Sequence, residues 1–218
     1  MTSAHLLVLS VAVLGCQPSE PRASEETGSL QAQADTISYL QLYESGVPYG
    51  EFMAAAERRR ETWQANYARA VVAPPLLKRA ATVGPVRLLV VAEDWCGDSA
   101  NTIPYLARLS EEVPNLSLRI INSERGRAVM EAHRTPDGRA ATPTVVALSE
   151  SGSVLACWVE RPGVLQTWYL ENEPKLGRDE LLAQKYDWYD GDLGESTVRD
   201  LIELLEAARS GSTRCPGA

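Results

Sequence analysis

Cys96 is the residue of this chain best placed to act as a nucleophile. It follows an apolar run, Val-Arg-Leu-Leu-Val-Val-Ala over residues 86–92, and precedes a segment of helical periodicity. A thiol at a helix N-terminus faces unsatisfied backbone N–H groups and the positive end of the helix dipole, and both favour the thiolate. Glu93, Asp94 and Asp98 stand close by and oppose a further negative charge. In water a unit charge 4 Å away is worth about 1 kcal/mol, against about 0.3 to 1 kcal/mol for the dipole, so the expectation is a thiol only modestly acidified. Three residues further on stands Ser99. A mixed disulfide formed at Cys96 therefore has no neighbouring thiol to resolve it, and release needs a thiol from elsewhere.

The other candidate groups offer less. Cys157 lies in a strand-like run and reads as a buried core residue, whereas Cys215 lies in a Ser-Gly-Pro tail and reads as exposed and mobile. Beyond the N-terminal segment the one histidine is His133, and a Cys96–His133 dyad would lack a third, orienting group. No Cys/His spacing matches a metal site, and there is no phosphate loop, dinucleotide fingerprint or Gly-x-Ser-x-Gly elbow. No cofactor and no metal are expected. Acidic residues outnumber basic ones 29 to 21, a net charge of -8, which repels phosphate backbones and argues against a nucleic-acid partner.

The elements that must position Cys96 follow from patterning. In 218 residues, 44% hydrophobic and 23% charged, there is room for one domain with a substantial core. Residues 86–92 read as a strand buried on both faces. Residues 99–112 read as a helix, 116–122 as a strand, 125–133 as a short helix, and 144–149 and 154–159 as strands. The turn at 150–153 contains Gly152 and is short enough to make the last two a hairpin. This order predicts an α/β fold with a central mixed sheet between helices. Upstream, residues 35–72 read as mostly helical, broken in two at Gly46, Pro48 and Gly50, with Arg58, Arg59 and Arg60 on a solvated helix face and Pro74-Pro75 marking a boundary. Downstream lies a Trp/Tyr-rich segment and then a final helix whose Thr197 and Asp200 are spaced as a capping box.

Trp95-Cys96-Gly97-Asp98-Ser99, after a hydrophobic strand, resembles the thioredoxin superfamily, and within it the bacterial proteins whose motif is Trp-Cys-Gly-Asp-Cys. Pro104, eight residues beyond Cys96, matches the proline of the active-site helix in that family. Thr142-Pro143 matches its cis-proline loop, which faces the active-site cysteine and pairs with substrate backbone, and Glu160-Arg161-Pro162 is similar to the same subgroup. The resemblance spans about residues 83–169. It implies a three-layer thioredoxin-like fold with a helical N-terminal arm and a helical C-terminal extension. It also implies Cys96 and Ser99 as catalytic positions, with Trp95, Gly97, Asp98, Thr142 and Pro143 facing substrate. Two departures stand out: Ser99 replaces the resolving cysteine, and Val90 stands where the family often buries an aspartate that assists it.

The first residues read as an address. A nine-residue apolar stretch, 6–14, followed by Gly15 and Cys16, fits a secretory signal and is too short to span a bilayer. Val13-Leu14-Gly15-Cys16 resembles a bacterial lipoprotein signal with Cys16 as the lipidated residue, although the five residues before the stretch contain no Lys or Arg. Residues 17–34 have the composition of a flexible tether. The expected organisation is thus a signal peptide at 1–15, a tether at 16–34 and a helical extension at 35–75. A thioredoxin-like domain at 76–170, a C-terminal helical extension at 171–210 and a tail at 211–218 follow. Such a protein would be exported to the cell envelope and held at a membrane through its N-terminal lipid. Its partners would be disulfide- or thiol-bearing proteins, or a small-molecule thiol. Two functional readings remain open: a single-cysteine thiol-disulfide oxidoreductase or isomerase, and a non-catalytic binding module for extended polypeptide.

Overall fold

The apolar run after Pro85 forms strand β1, Val86–Val91, whose residues are almost all buried. In the computed structural model, which describes Met1, residues 38–212 and residue 215, β1 pairs in parallel with β2, Leu116–Ile121. On its other side it pairs antiparallel with β3, Thr144–Leu148, which pairs antiparallel with β4, Val154–Val159. The order is β2-β1-β3-β4, the mixed sheet expected from the sequence. The described fold lies in one compact unit, Ile37–Ala218.

Alternation along β1 builds the two cores, because successive side chains point to opposite faces. Leu88 and Val90 join a large cluster on one face, beneath helix α5 (Gly97–Glu112) and helix α9 (Glu195–Arg209). Leu89 and Val91 join a smaller cluster on the other face, with Val129 of α6 (Arg127–Ala132) and Tyr43 of α1 (Tyr39–Glu44). The outer edge of β2 is met by Val47, which exchanges both backbone hydrogen bonds with Ile120.

The flanking segments differ in detail from the sequence expectation. The arm contains α1, then α2 (Tyr49–Ala55) and α3 (Arg60–Arg69), three pieces rather than two. The additional break falls at Arg59, which adopts φ 49° just before α3, so the arginine triplet is exposed, as expected, but lies at a helix start rather than along a helix. Pro74 does not end structure. It opens α4 (Pro74–Ala80), where a missing N–H costs nothing because first-turn N–H groups lack helical partners anyway. The predicted capping box is absent: α9 starts after Gly194 at φ 76°, Thr197 is buried inside the first turns, and the Asp200 carboxylate accepts from the Gly163 N–H at 2.7 Å. The Trp/Tyr-rich segment forms two helices, α7 (Gly163–Asn172) and α8 (Arg178–Asp192).

The largest revision concerns the two remaining cysteines. Cys157 of β4 is buried, as expected, but it is bonded to Cys215, so Cys215 is tethered rather than exposed and mobile. Cys215 packs with the smaller cluster, on the opposite sheet face from the apolar stripe of α9. Cys16, the signal segment and the tether lie outside the described residues. Among the described residues no helix is long and apolar enough to cross a membrane.

Candidate active site at the start of helix α5

Cys96 caps α5. Its backbone is extended (φ -75°, ψ 121°) and its Sγ accepts the Ser99 N–H at 3.4 Å, so the thiol takes the place of a capping side chain at an end where N–H groups are otherwise unpaired. On its other side the Sγ–H donates to the Thr142 carbonyl at 3.2 Å. The Thr142–Pro143 bond is cis, as the sequence permits, and brings that carbonyl to the sulfur. The Pro143 carbonyl in turn accepts the Glu160 N–H at 2.7 Å, pinning the loop to the end of β4. Cys96 is 8% exposed, next to Trp95 at 49%. The sulfur is therefore largely covered. Ser99 is wholly buried and its Oγ has no protein partner.

The three carboxylates that the sequence places near Cys96 are each engaged elsewhere. Glu93 accepts from the Ser123 N–H and hydroxyl at 2.7 and 2.5 Å. Asp94 accepts the backbone N–H groups of Glu57 and Arg58 at 2.8 and 2.9 Å, while its carbonyl receives the buried Trp63 indole at 3.0 Å. Asp98 turns away into the protein, where Lys185 Nζ lies at 3.0 and 3.1 Å and the Tyr189 hydroxyl donates at 2.9 Å. The Arg161 guanidinium stands 3.6 Å away on the same carboxylate oxygen. Each of the three carboxylates is thus held by hydrogen-bonding partners of its own.

The arm and the C-terminal extension build much of this neighbourhood. Arg59 donates from Nε to the Trp95 carbonyl at 2.8 Å, holding the residue before the cysteine. Its guanidinium also lies over the Tyr186 ring of α8, 5.8 Å from the centroid. Tyr186 roofs Gly97 so closely that a Cβ there would come within 2.1 Å of the phenol oxygen. Around Asp98 the buried network continues through Arg161 to Glu160 at 2.8 Å and Gln166 at 2.7 Å, with the guanidinium 3.8 Å from the Tyr169 ring centroid. Tyr189, wholly enclosed, has its pKa driven well above the usual value by burial and by the adjacent Asp98 charge.

All seven sequence-predicted residues sit together here: Cys96, Ser99, Trp95, Gly97 and Asp98 at the turn into α5, with Thr142 and Pro143 opposite. Asp98, taken from the sequence as substrate-facing, is 7% exposed and serves the buried network instead. Sequence reasoning missed Arg59, Lys185, Tyr186 and Tyr189. One signal existed, since Lys185 and Tyr189 are spaced i, i+4 on α8 and so share a face. His133 is not near-partnered with Cys96: its ring nitrogens meet the Tyr39 hydroxyl and the Cys157 sulfur.

The chain matches the thioredoxin family, Thioredoxin_9, over residues 46–178. It belongs to that family. The match takes in β1, α5, the cis-proline loop and the hairpin, and extends into the arm and α7, so those flanking helices are part of the family pattern. A crystal structure of a protein of unknown function, PA1234, from Pseudomonas aeruginosa is similar, with 26% identity and a TM-score of 0.60 over 79% of this chain and 99% of that one. The crystal structure of an HIV epitope-scaffold shares the fold, at 24% identity and a TM-score of 0.58 over 78% of this chain and 99% of that one. No curated protein matches the chain.

One prediction arises directly from Asp94. Burial alone would raise its pKa, but the backbone N–H groups of Arg58, Glu57 and Trp95 and the Arg58 charge win, and it is held below the usual range. A carboxylate with a depressed folded-state pKa stabilises the fold above the unfolded value, about 3.9, and loses that contribution as pH falls through the folded value. Wild type should be more stable than Asp94→Asn at pH 6, with the gap closing below about pH 4. Urea midpoints measured from pH 6 to pH 2 check this, and a gap independent of pH would refute it.

Proposed function

We propose that this thioredoxin-family protein exchanges thiols and disulfides through Cys96 alone. The observation that carries the reading is the placement of its sulfur between the first N–H groups of α5 and the carbonyl before a cis-proline. The thiolate attacks one sulfur of a substrate disulfide, forming a Cys96–substrate disulfide and expelling the other sulfur as a thiolate, which takes up a proton from solvent. A second thiol, on the substrate or in solution, then attacks the adduct and regenerates Cys96. Ser99 donates its N–H to the sulfur and supplies no thiol, so adducts persist. Disulfide isomerisation and removal of small-thiol adducts suit such a cycle better than rapid net reduction. Trp95, Thr142 and Pro143 line the approach, and substrates present extended chain there. The apolar segment before Cys16 supports an exported, lipid-anchored protein of the cell envelope, where disulfides form.

A second reading, a non-catalytic module that holds extended polypeptide, is favoured by the loss of a resolving thiol at Ser99. Trapping separates the two. Incubated with a disulfide-bearing protein and quenched with acid, wild type should yield a Cys96-linked adduct visible by non-reducing electrophoresis and mass spectrometry, and Cys96→Ser should yield none. Equal behaviour of the two proteins, with no adduct in either, would leave only the binding module.

A further inference from the structure

On the sheet face away from α5 and α9, two sulfurs and an imidazole meet in an apolar shell. Cys157 and Cys215 are bonded to each other, and His133 Nδ1 lies 3.4 Å from Cys157 Sγ. One ligand atom from each of the three residues falls within 4.8 Å of the others. The surrounding side chains include Val146, Leu148 and Val129. His133 is held from behind, because its Nε2 is hydrogen-bonded to the Tyr39 hydroxyl at 2.9 Å. That contact fixes the ring and directs Nδ1 at the sulfurs, which is how protein metal sites orient a histidine ligand.

We infer that the reduced form of this cluster, Cys157, Cys215 and His133, is a binding site for a thiophilic d10 cation, Zn2+ or Cu+, separate from Cys96. The ligand set fits: two soft thiolates and one imidazole suit this class and not Mg2+ or Ca2+. The spacing fits as well. Bonds of about 2.3 Å to sulfur and about 2.05 Å to nitrogen at a tetrahedral angle put the two ligand atoms about 3.6 Å apart, close to the spacing already present between Cys157 and His133. The two sulfurs must separate to about 3.8 Å on the same geometry. The chain can absorb that at Cys215, which lies beyond the end of α9 and outside any helix or strand. Two thiolates balance the charge of Zn2+, which would keep a fourth position for water, while Cu+ accepts three ligands.

The redox balance is simple. A phosphine or thiol reductant gives two electrons and the disulfide becomes two thiols with two protons taken up. Cation binding then returns both thiol protons to solvent, so that disulfide and metal are alternative states of one centre.

The test uses the full chain carrying Cys16→Ser and Cys96→Ser, which removes both other thiols. Protein reduced with a water-soluble phosphine and freed of it without oxygen is titrated separately with Zn2+ and Cu+ against chromophoric chelators. At least one cation should bind at one equivalent per chain, and unreduced protein should bind neither. Cys215→Ser, outside the helices and strands, should abolish that binding. Tyr39→Phe should weaken it about 10- to 100-fold through loss of the ring's support, while leaving the circular dichroism spectrum intact. Absence of stoichiometric binding by either cation, or binding unaffected by Cys215→Ser and Tyr39→Phe, overturns the inference.

Discussion

Ser99→Cys should turn a trapping protein into one that turns over, raising the rate of insulin reduction at millimolar dithiol or glutathione by about 100-fold or more. Resolution of the Cys96 adduct by a neighbouring thiol is intramolecular, and well-oriented intramolecular reactions reach effective molarities of about 10⁵ M, whereas a free thiol supplies only millimolar concentrations. The backbone is ready for it: the residue at position 99 already brings its N–H to the Cys96 sulfur, in the first turn of the same helix. The position is wholly buried and the present hydroxyl has no protein partner, so exchanging oxygen for sulfur sacrifices no hydrogen bond. Val90, buried and apolar, stands where the resemblance to the family implies a proton-accepting aspartate, so the gain should stop short of a dithiol enzyme with a buried base. Insulin turbidity compared across wild type, Ser99→Cys and Cys96→Ser measures it. A Ser99→Cys protein no faster than wild type would show that Cys96 does not attack disulfides.

The second large effect is on stability. Lys185→Met should destabilise the fold by about 3 kcal/mol, at the lower end of the 3–5 kcal/mol typical when one partner of a buried pair is removed. Asp98 and Lys185 are 7% and 4% exposed, so water cannot take over for the lost ammonium. Arg161 at 3.6 Å and the Tyr189 hydroxyl remain to support the carboxylate, which is why the lower end applies. For a chain of this size the loss corresponds to a fall in Tm of about 6 to 12 °C. The double variant Asp98→Asn, Lys185→Met should recover much of the stability, since no bare charge is then left inside. The pair also ties α8 to the first turn of α5. Lys185→Met should therefore quicken alkylation of Cys96 under native conditions, and an unchanged rate would show that α8 does not shield the sulfur.

The layers of the fold were legible because they rest on local pattern. The run in β1, buried on both faces, the glycine turn of the hairpin and the apolar stripe of α5 each carry their signal within a few residues. So do Cys96 at a strand-to-helix junction and the Thr142-Pro143 step. What stayed hidden depends on pairs remote in sequence. Asp98 and Lys185 are 87 residues apart, and both look like ordinary solvated charges until a helix folds back across the motif. Cys157 and Cys215 are separated by 58 residues, and nothing in a Ser-Gly-Pro tail announces that it returns to the sheet. Pro74 misled because a proline reads equally as a boundary and as a first helical residue. Arg59 misled because its left-handed backbone, which breaks the helical pattern, leaves no mark in composition.

The phenol above Gly97 has an evolutionary consequence. Any side chain at position 97 would need that ring to move away from its contacts with the Arg59 and Lys185 cations, 5.8 and 4.9 Å from its centroid. Descendants of this chain can therefore enlarge residue 97 only if residue 186 shrinks or its ring moves aside, so that a position in the reactive motif and one 89 residues away are coupled.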